Sequence, residues 1–204
     1  MKSTDKYLSF SKLSQHEREG KDFTRIAIPR DTGIAILAPH GGGIEPGTSE
    51  IAAALARDDL SFYAFEGLKP SGSQALHITS TNIDEPSCVS LVGQSHTVVS
   101  IHGCQGEHEL VYVGGLDGAL RARLIQAFIC AGIAAVEDNS HHSGKHPSNI
   151  CNRGRSRKGA QLELTAGLRR KMFKGLKAAY RRHKTPLFAL FVYAVRQAVL
   201  DTLR

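Results

Sequence analysis

The chain has 204 residues, 41% of them hydrophobic and 22% charged, which excludes a disordered chain and allows a full hydrophobic core. The net charge of +7 is unevenly placed: residues 1–135 carry 11 Lys and Arg against 15 Asp and Glu, and residues 136–204 carry 15 against 4. A C-terminal part at +11 points either to solvated helix faces or to an anionic partner, with nucleic acid as the default polyanion.

Met1-Lys2-Ser3-Thr4-Asp5 has no apolar stretch of the kind a signal peptide carries, so the expected location is the cytoplasm. The opening fifteen residues, with Tyr7, Leu8, Phe10 and Leu13, predict a short helix. Arg25–Ile28 and Ile34–Ala38 read as strands, the second apolar throughout and therefore buried on both faces, with Pro39 as its stop. A glycine cluster follows, and Thr48 or Ser49 caps a helix through Ala56 with Glu50 near its positive end. Phe62–Phe65, Leu76–Thr79, Thr97–Ile101 and Leu110–Val113 are strand-like. Asp117 caps a helix through Cys130, Ile133–Val136 resembles a strand, a polar loop spans 139–149, and Gln161–Leu164 is the last strand.

Two helices finish the chain. The first is basic, from Leu168 to Lys184, with apolar residues at 168, 172, 176 and 180. The second contains the longest apolar run, Leu187–Val195, whose nine residues fall short of the roughly 20 a membrane span needs. Strands alternating with helices predict an α/β fold, a mixed sheet flanked by helices, and no linker divides residues 1–204 into two domains. Cys88, Cys104, Cys130 and Cys151 form no C-x-x-C pair and are expected as reduced thiols, mostly buried.

The segment Ile36-Leu37-Ala38-Pro39-His40-Gly41-Gly42-Gly43-Ile44-Glu45 carries the chemistry. A buried strand delivers His40 to its C-terminal end, and three glycines let the chain fold back tightly enough to return Glu45 beside it. One imidazole and one carboxylate are two-thirds of a His₂Glu catalytic zinc set. The second nitrogen is expected from His102, at the tip of the apolar run Val98–Ile101 and followed by Gly103. Glu163, flanked by Leu162 and Leu164, is the candidate general base for a water acidified by the ion. Each residue also has a plainer reading: both histidines as hydrogen-bonded turn residues, Glu45 as a helix-terminus charge, Glu163 as an outward strand residue.

These blocks resemble the phage-type poly-γ-glutamate hydrolases, from about residue 34 to about residue 170. The resemblance rests on Pro39–Glu45, Phe65–Leu68, Leu76–Thr81 with Asp84–Pro86, Ser100–Gly103, Gly114–Leu116, Asn149–Ile150 with Asn152-Arg153, and Lys158-Gly159 with Gln161–Glu163. It implies a zinc carboxypeptidase-like architecture, one zinc ion held by His40, Glu45 and His102, and Glu163 as the acid/base that cleaves γ-glutamyl amide bonds. A polymer with a free carboxylate on every residue needs cations, and the candidate substrate contacts are Arg153 first, with Asn152 and Arg157. His77 reads as a core histidine, and His141, His142 and His146 as a surface cluster. Two alternatives stand beside this reading: a nucleic-acid-binding protein using the basic helix, and an amidase of short γ-glutamyl or cell-wall peptides.

Overall fold

The structure, a computed structural model, describes residues 5–140 and 143–203. Seven strands, β1 (Phe23–Ile28), β2 (Ile34–Gly42), β3 (Ser61–Gly67), β4 (Thr97–Cys104), β5 (Val111–Gly114), β6 (Ala135–Glu137) and β7 (Ala160–Thr165), form one mixed sheet. Their order is β1-β3-β2-β4-β7-β5-β6. The four central strands, β3, β2, β4 and β7, are mutually parallel, while β1 and β5 join them antiparallel. Helices α1 (Phe10–Leu13), α2 (Thr48–Ala56), α3 (Pro86–Gln94), α4 (Gly118–Cys130), α5 (Ala166–Met172) and α6 (Pro186–Leu200) complete it. None among the described residues is long and apolar enough to cross a membrane.

The unbroken apolar run of β2 has a direct cause. Side chains alternate across a strand, and both faces of this sheet are covered. Ile34, Ile36 and Ala38 enter a core shared with α2, α4, α5 and α6, while Ala35 and Leu37 enter a second core beneath the N-terminal segment and α3. Phe128 of α4 stacks on Phe191 of α6 in the first core, with ring centroids 5.2 Å apart. The run Leu187–Val195 is a helix as expected, but it is buried on one face only, with Phe188, Phe191, Val192, Ala194 and Val195 inside and Leu190 and Tyr193 exposed.

Several expectations need correction. Pro39 does not end β2, which continues to Gly42 past a register shift between Ala38 and Gly41. Leu76–Thr79 is not a strand but the end of a 3₁₀ turn followed by extended chain, because Asp5 rather than a neighbouring strand takes its amide: Thr79 N donates to Asp5 Oδ2 at 2.6 Å. Helix α3 was not foreseen, although Glu85 caps it by accepting from Ser87 N and Cys88 N, and Pro86 opens it. The basic helix stops at Met172, where Phe173 turns to bridge Lys184, so residues 174–184 are a loop and the stripe at 176 and 180 is not a helix face. Two of the four cysteines are buried, Cys104 is half-buried and Cys130 is exposed.

Residues 5–17 strap the loop that precedes α3. Phe10 N donates to Asp84 Oδ1, and Glu17 receives Tyr7 Oη at 2.6 Å, Lys69 Nζ at 2.6 Å and Lys6 Nζ at 3.2 Å. Burial alone raises the Glu17 pKa, but those three donors outweigh it and bring it down from 4.5 to about 2. A depressed carboxylate contributes stability above its unfolded pKa and loses it as pH falls through the folded value. The cluster borders an open groove lined by Lys6, Lys12, His16 and Lys69, so water screens it and the contribution is about 1 kcal/mol. Denaturant titrations between about pH 5 and pH 2 are expected to show that loss in the native chain and not in Glu17→Gln. Parallel curves for the two proteins contradict this assignment.

Candidate metal centre

The crossover from β2 to β3 runs to one side of β2, and the later crossover to β4 runs to the other. Ligand sites in open α/β sheets lie at such reversals, outside the carboxyl ends of the strands. His40 stands near the end of β2 and His102 near the end of β4, both buried. Gly42 adopts φ +63°, and a Cβ there would lie 2.5 Å from Gly67 O, so only glycine lets the chain turn this close to β3. That turn brings Glu45 back, with Glu45 N donating to His40 O at 2.9 Å.

The three side chains converge. His40 Nδ1 is 3.1 Å from His102 Nδ1 and 3.2 Å from Glu45 Oε1, and His102 Nδ1 is 3.7 Å from Glu45 Oε2. Donors about 2.0–2.1 Å from a tetrahedral ion stand about 3.3–3.4 Å from one another, so the set fits one zinc-sized ion. The protonation pattern fits as well. His40 Nε2 faces Ile78 O at 2.8 Å, and a carbonyl only accepts, so this nitrogen carries a hydrogen and Nδ1 is the atom turned toward His102. Two ring nitrogens that close need a proton or a cation between them. Gly103 N donates to Glu45 Oε2 at 2.9 Å, which leaves Oε1 turned toward His40. Burial would raise the Glu45 pKa, but the facing imidazoles hold it well below the carboxylate range. His102 Nε2 is buried and has no hydrogen-bond partner among the described residues.

Glu163 sits directly beside His102 in the β4–β7 register. Burial, then the charges of Glu45 and Asp138, push its carboxyl well above the usual range against the pull of Arg169 and Gln161. Gln161 Nε2 donates to Glu163 Oε1 at 3.0 Å, and Asn149 Nδ2 donates to Gln161 Oε1 at 2.9 Å. This chain of amides fixes one carboxyl oxygen.

The expected substrate contacts are not gathered here. Asn152 is buried, donates to Gly144 O and His146 O, and accepts from Leu116 N and Gly159 N, so its amide is fully committed to backbone. Arg157 lies at the wrong end of the sheet. Because β7 runs parallel to β4, the residues just before it accompany the start of β4: Arg155 N donates to Ser95 O and Ser156 Oγ to His96 O. His102 is six residues further on, about 20 Å at strand rise. Arg153 donates to Ile83 O, tying the 3₁₀ turn Ile150–Asn152 to the loop before α3. His141 and His142 lie outside the described residues.

Two features escaped the sequence. His77, expected in the core, is half-exposed: its Nδ1 is 2.7 Å from Asp5 Oδ1, its Nε2 is 3.8 Å from Glu45 Oε1, and its ring centroid is 4.0 Å from that of His40. His40, Glu45 and His77 thus make a second set of donors within 4.8 Å of one another, looser than the set with His102. Burial and His40 lower the His77 pKa, so its neutral Nε2 turns a lone pair toward the centre. The second feature is Arg169, which the sequence placed on a solvated helix. It is buried, and donates to Leu164 O, Pro46 O and Cys104 O at 3.1, 2.8 and 2.9 Å, joining the ends of β7 and β4 to the Glu45 loop.

A family described as poly-gamma-glutamate hydrolase matches residues 7–194. The protein YndL of Bacillus subtilis (strain 168) is 38% identical over 171 residues, 83% of this chain and 67% of YndL. The SPbeta prophage-derived protein YoqZ of the same organism is 38% identical over 173 residues, and the chain spans 62% of its length. Among solved structures, a bacteriophage poly-gamma-glutamate hydrolase superposes with a TM-score of 0.95 at 32% identity, covering 98% of each chain. A zinc-free structure of YndL superposes at 0.92 and 33%, covering 97% of this chain and 98% of that one.

The Arg169 clamp is testable through Gly103. A Cβ there would fall 2.5 Å from the Arg169 Cζ, and a guanidinium pinned by three carbonyls cannot swing aside freely. Gly103→Ala is expected to lower stability by about 1–3 kcal/mol and to weaken zinc binding in a calorimetric titration. Unchanged melting temperature and unchanged affinity contradict the clamp.

Proposed function

The chain belongs to the poly-γ-glutamate hydrolase family, and from that premise we propose that it cleaves the γ-glutamyl amide bonds of poly-γ-glutamate at a single zinc ion held by His40, Glu45 and His102. The observation that carries the proposal is the convergence of two imidazole nitrogens and one carboxylate within 3.1–3.7 Å at the reversal point of the sheet. Glu163 on the adjacent strand is the acid/base.

Zinc, when bound, polarises the amide carbonyl and brings the pKa of a coordinated water from 15.7 to about 7. The remaining work falls to the chain. Burial, and after it the negative charges of Glu45 and Asp138, raise the affinity of Glu163 for a proton. Glu163 therefore takes the proton of the attacking water and carries it to the leaving nitrogen. The hydrogen bond from Gln161 holds one oxygen of Glu163, leaving the other for the transfer, and Asn149 fixes Gln161 in turn. Ile78 O, by accepting from His40 Nε2, keeps Nδ1 of that ring turned toward His102 and Glu45, the position from which it would hold the ion. Arg169 holds the two strand ends and the Glu45 loop at a fixed separation.

Glu163→Gln keeps the shape of the side chain and removes its proton affinity. It is expected to bind zinc with unchanged stoichiometry and to lose about 10²–10⁴ in kcat, followed as viscosity loss and amine release from purified poly-γ-glutamate. Native-level turnover in that variant removes Glu163 from the mechanism. Short γ-glutamyl peptides assayed alongside the polymer separate a polymer hydrolase from a peptide amidase.

A further inference from the structure

The loop between Phe173 and Lys184 packs on the turn that carries the metal-ligand carboxylate. A Cβ at Gly47 would lie 2.9 Å from the Phe173 ring, Arg181 Nε donates to Glu50 Oε1 at 2.6 Å, and Arg169, on the helix α5 that leads into the loop, donates through Nη1 to Pro46 O. All three contacts fall within five residues of Glu45. The loop is closed on itself by the antiparallel bridge from Phe173 to Lys184 and by Lys174 N donating to His183 O. It therefore borders the carboxyl end of the sheet, where His40 and His102 stand.

The charges on this loop and its approach divide into two groups. Arg170 pairs with Glu107, Lys171 with Glu109 at 3.5 Å and Arg181 with Glu50, while Lys184 lies over the Phe188 ring, 4.7 Å from its centroid. Lys174, Lys177 and Arg182 are exposed and make no ion pair among the described residues. Three cations without an ion pair among the described residues, on one short loop that packs beside the Glu45 turn, match the charge of a polyanion. The basic residues 155, 157 and 158, by contrast, accompany the opposite end of β4.

We propose that Lys174, Lys177 and Arg182 form an electrostatic rim that gathers the substrate chain, pairing with free carboxylates of residues beyond the cleaved bond. Such a rim acts on encounter and binding rather than on the chemical step, and salt screens it. The proposal rests on the polymer reading above, and its test keeps the two apart. Lys174→Glu/Lys177→Glu/Arg182→Glu is compared with the native chain and with Arg57→Glu/Arg123→Glu/Arg155→Glu, which makes the same charge change at exposed positions in other elements. A milder triple to Gln guards against misfolding.

At low ionic strength the rim triple is expected to raise KM for long poly-γ-glutamate roughly tenfold with kcat unchanged. The gap closes at about 0.5 M salt, and turnover of a γ-glutamyl dipeptide does not move. The control triple keeps its KM. An unchanged polymer KM in the rim triple overturns the rim, and so does an equal rise in the control, which reports net charge alone. Loss of duplex DNA binding in the rim triple, with polymer KM unchanged, also overturns it and assigns the loop to nucleic acid. A native chain that cleaves the dipeptide but not the polymer sinks the polymer reading and the rim together.

Discussion

Strands β2 and β4 lie side by side and parallel, and the connections that leave them diverge, opening a crevice at their carboxyl ends. Into that crevice the fold brings two ring nitrogens 3.1 Å apart with a carboxylate oxygen beside them. At that distance one ring nitrogen supplies a hydrogen to the other or both face a shared cation, and His40 already uses its own hydrogen on Ile78 O. Much of the surrounding structure follows from holding this arrangement. The glycines after His40 allow a turn that no Cβ would permit, Gly103 N holds one oxygen of Glu45, and Arg169 joins the three backbone segments that meet there.

Arg169 shows how a costly group is made useful. Burial of a guanidinium is unfavourable, and here it lowers the pKa of the group. Three carbonyl acceptors and the nearby carboxylates Glu45 and Glu163 offset that cost. The result is a fixed positive charge behind the centre, opposing the mutual repulsion of the two carboxylates. The N-terminal strap serves a similar end from the other side of the sheet, since Asp5 and Asp84 hold the loop that supplies Ile78 O and His77.

The sequence made the centre legible because its parts are local and periodic. An apolar run ending in His, then glycines, then Glu45 describes a strand tip and a return, and His102 repeats the strand-tip pattern. Glu163 was legible for the same reason, as a lone carboxylate between two leucines on a strand. What failed depended on contacts distant in sequence. The Asp5–His77 pair spans 72 residues and leaves no periodic signal. Arg169 looked like one more cation in a basic helix, because nothing local shows that three carbonyls await it. Arg157 was misplaced through chain proximity: nearness to Glu163 in sequence became remoteness in space once β7 proved parallel to β4. Helix α3 was hidden by its short, mixed-polarity pattern, although its cap was visible.

The most direct measurement compares zinc affinity in two single variants, because two donor sets share His40 and Glu45 and differ in the third nitrogen. Chelator-stripped protein, titrated calorimetrically, is expected to take up one equivalent of zinc. His102→Ala should weaken that binding about a hundredfold or more, whereas His77→Ala should retain it within about tenfold. Tight, stoichiometric zinc in His102→Ala, with loss in His77→Ala, would contradict the centre as assigned.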